Sequence, residues 1–119
     1  MNRLLICASV LGLLSVIMGA AGDHAFTLTP AQAESLETAV RYNMLYAAIA
    51  AAVALTSPSG KRLLSGILFA VGAAVFSGSI YLAIATNISQ LTYLTPIGGL
   101  TLMAGWVVLA LSGLGRSKA

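Results

Sequence analysis

Four apolar stretches, Leu4–Ala21, Val40–Thr56, Leu63–Thr86 and Ile97–Leu114, run through this 119-residue chain, and most of its charge lies in the gaps between them. A hydrocarbon core of about 30 Å needs roughly 20 helical residues to cross it. Leu63–Thr86 reaches that length with some tilt, and the other three come close to it. Apolar residues make up 59% of the chain and charged residues only 8%. Three acids and six bases could not cover the surface of a water-soluble fold of this length. The expected fold class is therefore all-α: an integral membrane four-helix bundle with antiparallel neighbours, one transmembrane domain over residues 1–119.

The charges are sorted. Arg3, Lys61, Arg62, Arg116 and Lys118 fall on one side of a four-pass path; Asp23, Glu34 and Glu37 fall on the other, with Arg41 at the edge of the second stretch. The positive-inside rule places both termini in the cytoplasm. Topology accounts for the basic balance, so nucleic acid is not an expected partner. Cys7, the single cysteine, allows no internal disulfide and reads as a small apolar side chain. The first stretch, flanked by Asn2-Arg3 and Gly19-Ala20-Ala21, has the outline of a cleavable signal peptide. Its length of about 18 residues favours a retained span over a signal core of roughly 7–15.

Small residues mark seams for close helix packing. The first stretch has Ala8, Gly12, Ser15, Gly19 and Gly22 in steps of four and three. The third has Gly66, Ala70, Ala74 and Gly78 in steps of four, and the fourth has Gly98, Thr101, Gly105 and Ser112 on one face. Thr29-Pro30-Ala31-Gln32 reads as a capping box with proline at the first helical position. The second helix therefore starts well before its apolar part, and Glu37 and Arg41 become i,i+4 partners on its exposed turn. Ser57-Pro58-Ser59-Gly60 makes a tight turn. Thr95-Pro96 repeats the cap-then-proline pattern; a helix starting near Leu91 would make Pro96 a kink instead.

Polar side chains gather at one depth. His24, Tyr42, Asn43 and Tyr46, then Ser77, Ser79 and Tyr81, then Tyr93, Thr95 and Thr101 all belong to the outer half of the four-pass path. At 1.5 Å per residue, Ser77 lies roughly 13 Å below the outer end of its helix. Polar groups at such depth face a partner or a wet cavity. The plainer reading is interhelical hydrogen bonding with an interfacial tyrosine belt. The sharper one is a shallow pocket on the outer side. A dry inner half argues against a continuous aqueous pore.

The chemistry open to this chain is narrow. Its one histidine and one cysteine stand roughly 25 Å apart along a single helix, too far to share a metal ion, and no cofactor is expected. Asp23-His24 with Glu34 or Glu37 would make only a weak surface metal site. Adjacent Asp23 and His24 are poorly placed to relay protons for Ser77 or Ser79, and no phosphate-cradling glycine loop or dinucleotide fingerprint occurs. An enzyme is not expected. Histidine is the residue type suited to proton sensing, and His24 is the one histidine of the chain.

Phe76-Ser77-Gly78-Ser79-Ile80-Tyr81, Thr95-Pro96-Ile97-Gly98-Gly99, Ala104-Gly105-Trp106 and Gly19-Ala20-Ala21-Gly22-Asp23-His24 resemble the signature blocks of the domain-of-unknown-function-423 family. The likeness covers most of the chain in the same order. It implies a small four-pass bacterial inner-membrane protein with a eukaryotic relative in transmembrane protein 256, and it implies no reaction. Carried over block by block, the family's marked positions are His24, Tyr42, Ser77, Ser79, Tyr81, Thr95, Pro96, Gly98, Gly99 and Trp106. Asp23 departs from the family's usual alanine. Tyr46 departs from a second histidine present in many members, which puts a two-histidine mechanism in doubt.

The leading expectation is a non-enzymatic membrane protein whose outer polar cluster binds a lipid, a small amphipathic molecule or a partner helix. His24, Tyr42, Asn43, Tyr46, Ser77, Ser79, Tyr81, Thr95, Gly98 and Gly99 form the candidate site, with Gly78, Gly98 and Gly99 permitting close approach. Membrane lipids, a second copy or another membrane protein are the expected partners. The alternative is a small proton-coupled transporter using Asp23 and His24.

Overall fold

The computed structural model describes residues 1–24 and 27–114. The side chain of Asp23 and the basic residues Arg116 and Lys118 lie outside what is described. Four α-helices account for nearly all of it: α1 (Arg3–His24), α2 (Pro30–Ala54), α3 (Gly60–Thr86) and α4 (Thr95–Leu114), with a short 3₁₀ helix, Ser89–Leu94, leading into α4. The structure is 52 Å along its longest axis. Arg3–Gly22, Gly60–Thr86 and Ser89–Leu114 are long and apolar enough to cross a membrane. α2 falls short of that composition because Glu34, Glu37 and Arg41 occupy its first half.

The helix boundaries follow local chemistry. Thr29 Oγ1 accepts from the Gln32 backbone N–H at 3.1 Å while Gln32 Oε1 accepts from the Thr29 N–H at 3.1 Å, so the expected capping box opens α2 at Pro30. α2 ends at Ala54, two residues before the end of its apolar stretch. Ser57 and Gly60 turn the chain with φ of 53° and 57°. Asn87 closes α3 in the left-handed region, φ 57°, which asparagine tolerates better than most residues. Thr95 corrects an expectation. It is helical (φ −57°, ψ −45°) rather than a cap, because the 3₁₀ turn already carries the backbone into α4 and frees its hydroxyl to reach α3.

Neighbouring helices run antiparallel and pack in chain order. Gly12 faces Ala47, Gly19 faces Val40 and Gly22 faces Leu36, so the small-residue seam of α1 is the surface that takes α2. Gly66 of α3 packs against Leu4 and Val53, bringing α1, α2 and α3 together near the Met1 end. Between α3 and α4, Gly98 meets Phe76, Gly72 meets Leu102 and Gly105 covers the ring of Phe69. Among the described residues, the backbone of α4 approaches α3 and the 3₁₀ helix but neither α1 nor α2. The four helices thus form a triangle of α1, α2 and α3 with α4 docked on α3, and a cleft remains between α2 and α4.

Two apolar clusters fill the interior. One, around Phe69, Ala50, Ala73 and Leu102, occupies the Met1 half. The other, around Leu36, Ala39, Ile80 and Ile84, joins α2 and α3 toward the His24 end, with Leu14 and Met18 of α1 packed on it. In a membrane interior these contacts act through dispersion and fit rather than through exclusion of water.

The glycines divide by function. A Cβ on Gly98 would meet the Phe76 backbone nitrogen, its Cα at 2.8 Å and the Gly72 carbonyl oxygen at 2.9 Å, all main chain that cannot rotate aside. A Cβ on Gly78 would meet nothing within 4 Å, so the row Gly66–Ala70–Ala74–Gly78 is a packing seam only at its first members. Gly98→Ala is expected to lower stability in a detergent unfolding titration by about 1–3 kcal/mol through overpacking. Gly78→Ala is expected to raise it by about 0.5 kcal/mol, by helix propensity alone. Equal responses of the two variants would contradict the assigned seam.

Candidate functional site

Polar side chains of α2, α3 and α4 meet in the interior at the level expected from the sequence, and most are joined in pairs across helices. Ser77 Oγ donates to the Ala39 carbonyl oxygen of α2 at 2.7 Å. One turn along α2, Asn43 Nδ2 donates to the Tyr81 hydroxyl at 2.9 Å. Asn43 is fully buried, and among the described residues its Oδ1 has no hydrogen-bond partner. Between α3 and α4, the Ser79 and Thr95 hydroxyls bond to each other. Because Ser79 Oγ also donates to the Phe76 carbonyl at 2.9 Å, Thr95 is the donor within that pair.

An aromatic cluster continues from these bonds toward the Met1 end. Trp106 Nε1 of α4 donates to the Tyr46 hydroxyl of α2 at 2.7 Å. This bond spans two helices whose backbones do not touch. Phe69 stands beneath both rings, 5.5 Å from Tyr46 and 4.9 Å from Trp106, the latter edge-on. Tyr42 stacks on Phe76 at 4.7 Å. Edge-to-face and offset-stacked rings contribute roughly 0.5–1.5 kcal/mol per pair beyond their burial.

Next to the Ser79–Thr95 pair, the cleft between α2 and α4 opens into a groove of about 750 Å³. Phe76 and Ile80 of α3 form its floor, and Ser35 of α2 forms one rim. Thr92 and Thr95 stand at the 3₁₀–α4 junction, and Gly99 and Met103 continue the α4 wall. The groove is a direct consequence of the packing order. α4 docks on α3 alone, so its α2-facing side is left unfilled above the Tyr46–Trp106 bridge. A side chain at Gly99 would project into this space, since a Cβ there meets only Phe76 Cδ2, at 3.9 Å.

The sequence-derived candidates therefore separate. Asn43, Ser77, Tyr81, Tyr46 and Ser79 are buried and bonded between helices. Thr95 belongs both to a bonded pair and to the groove wall, and Gly99 lines the groove. The close approach expected at Gly98 is made to α3. Tyr42 is partly exposed over Phe76. His24 is exposed on the last turn of α1, and among the described residues no hydrogen bond joins it to the cluster. Tyr93 is 76% exposed, as an interfacial tyrosine would be.

Several contributors carried no signal in the sequence, among them Ser35 and Thr92 on the groove rim. Gly72, which seats Leu102, lies off the four-residue row read for the third stretch; the row facing α4 runs Phe69, Gly72, Phe76, Ser79, alternating three and four. Met103 carried no polar signal at all. Among the described residues, no three His, Cys, Asp or Glu side chains come together as metal ligands.

Known proteins resemble the chain along nearly its whole length. The family model described as "Protein of unknown function (DUF423)" matches residues 18–99, a span holding every candidate site residue from His24 to Gly99. A UPF0382 membrane protein of Schizosaccharomyces pombe is 36% identical over 86% of this chain and 93% of its own. A UPF0382 membrane protein of Staphylococcus haemolyticus is 34% identical over 94% and 95%. The UPF0382 inner membrane protein YgdD of Escherichia coli is 28% identical over 93% and 88%. No solved structure matches the chain.

The buried pairs make a specific energetic claim. Tyr81→Phe leaves Asn43 Nδ2 unpaired and is expected to lower stability by about 1–2 kcal/mol. In the double variant Asn43→Leu/Tyr81→Phe the penalty should be smaller than the sum of the singles, because both partners are removed together. A double-mutant cycle in detergent that gave strictly additive penalties would mean that the two side chains do not bond.

Proposed function

Taking as premise that this chain belongs to the DUF423 family and is a multi-pass inner-membrane protein, we propose that it binds a lipid or small amphipathic molecule laterally, in the groove between α2 and α4. In this reading all four helices cross the bilayer, α2 shielded by α1 and α3, with both termini in the cytoplasm and the groove in the outer half. The charge sorting supports that orientation. Lys61 and Arg62 stand at the Met1 end with Arg3, while Glu34 and Glu37 stand at the His24 end.

The observation that carries the proposal is the shape of the cleft: apolar along Phe76, Ile80 and Met103, with hydroxyls at Thr92, Thr95 and Ser35 on its rim. A groove lined mostly by apolar atoms with a few placed polar groups suits an amphipathic ligand. Of these hydroxyls Thr95 bonds across to Ser79 and Thr92 to the Ser89 carbonyl, and among the described residues no acid–base pair lines the groove, which favours a binding role over catalysis. A proton-coupled transporter built on Asp23 and His24 is the weaker reading. His24 lies apart from the cluster, and the path toward the Met1 half is filled by Phe69 and the Tyr46–Trp106 bridge.

Gly99→Leu is the direct test, because it fills the groove while leaving the α3–α4 contact intact. Lipid retained through purification and quantified by mass spectrometry should fall about tenfold relative to the original chain, with unfolding in detergent unchanged. His24→Ala should leave retention as it was. Full retention in the Gly99 variant would reject the groove as the binding site.

A further inference from the structure

A second groove lies on the opposite side of α2, between that helix and α1, with a volume of about 480 Å³. Gly19 and Gly22 form its floor, Leu36, Val40 and Met44 its apolar wall, and Glu37 and Arg41 its polar rim. The two rim residues are joined by a 2.8 Å bond from Arg41 Nη2 to Glu37 Oε1, and both side chains are well exposed, 65% and 72%. An exposed i,i+4 pair of this kind adds little to stability. Its position distinguishes it from an ordinary solvated pair.

The pair sits below the tips of the helices. Val40 packs on Gly19, inside the apolar stretch of α1. Ala39 accepts the bond from Ser77, which stands roughly 13 Å before the end of α3. The polar zone of a leaflet is about 5–8 Å deep. The backbone of the Glu37–Arg41 turn thus lies several ångströms below that zone, and Arg41 reaches one turn outward to Glu37, so the two long side chains extend toward the headgroups beside an apolar groove.

We propose that this rim and groove bind a zwitterionic phospholipid: its phosphate on the Arg41 guanidinium, its ammonium on the Glu37 carboxylate, and one acyl chain along Gly19 and Met44. The existing ion pair need not break. Arg41 has five N–H donors and uses one of them on Glu37, and Glu37 keeps a second carboxylate oxygen. Glu34, one turn earlier and also exposed, adds a further carboxylate to the same helical face. A cation with carboxylates one and two turns outward of it along the same helix matches a headgroup with both charges better than one that is only anionic. This site is independent of the α2–α4 groove and uses none of its residues.

The test is competitive retention by the full chain in micelles containing equimolar phosphatidylethanolamine and phosphatidylglycerol, read by native mass spectrometry. The zwitterionic lipid should be retained about threefold or more over the anionic one. Arg41→Gln should reduce retention of both lipids, and Arg41→Lys should keep most of it. Glu37→Gln should erase the preference while phosphate binding persists. Soluble glycerophosphoethanolamine at the same concentration should displace neither lipid. Both side chains are exposed, so thermal unfolding of the variants should match the original chain and confirm their folding. Equal retention of the two lipids would overturn the proposal, as would indifference to both Arg41→Gln and Glu37→Gln, or displacement by the soluble headgroup. Gly99→Leu should leave the headgroup preference untouched, so failure here and failure of the α2–α4 groove are separate results.

Discussion

Hydrocarbon offers no partner to a hydroxyl or an amide, and the arrangement of α2, α3 and α4 answers that constraint. Ser77 reaches the Ala39 carbonyl, Asn43 reaches Tyr81, Thr95 reaches Ser79 and Trp106 reaches Tyr46. Each bond is modest, since measured interhelical bonds in membranes average about 0.6 kcal/mol. Their effect on geometry is larger. Three of the four end on α3, and together they fix how far α2 and α4 slide along it. Gly72, Gly98 and Gly105 then set how closely α4 can lie.

That combination leaves space where it does. α4 is held tightly to α3 and, among the described residues, is linked to α2 by one aromatic bridge, so a groove persists beside the bridge instead of closing into a further helix–helix contact. On the other side of α2, glycines on α1 bring two backbones together while larger side chains stand around them, and a second groove results. Both are features of helix spacing rather than of any one reactive residue. Grooves made this way have the shape for a molecule that is mostly hydrocarbon with one polar end, as proposed above.

Much of this was legible in the sequence because it depends on periodicity and end chemistry. The Thr29–Gln32 capping box, the Glu37–Arg41 pair and the α1 seam from Ala8 to Gly22 follow from spacing of three and four, and the structure shows each of them. The depth of Ser77, Tyr81 and Thr95 was legible for the same reason. What spacing could not supply was orientation about the helix axis. The row of small residues through Ala74 and Gly78 looked like a seam, yet that face of α3 is open, and the contact with α4 is made by Gly72, two positions off the row. Likewise, a polar side chain at the right depth does not reveal whether it bonds across to another helix or lines a space. Asn43 and Thr95 read alike in sequence, and only the packing of α4 separates them.

The central physical claim is that the face of α4 bearing Met103 opens to lipid and is neither water-filled nor covered by protein. A nitroxide at Met103, in a chain with Cys7 replaced by serine and reconstituted in bilayers, measures this directly through its collision rates with molecular oxygen and with a water-soluble nickel chelate. The expected result is high oxygen accessibility with almost none to nickel. Strong nickel collisions would reveal an aqueous cavity, and inaccessibility to both reagents would reveal a packed protein surface; either would contradict a groove open to lipid.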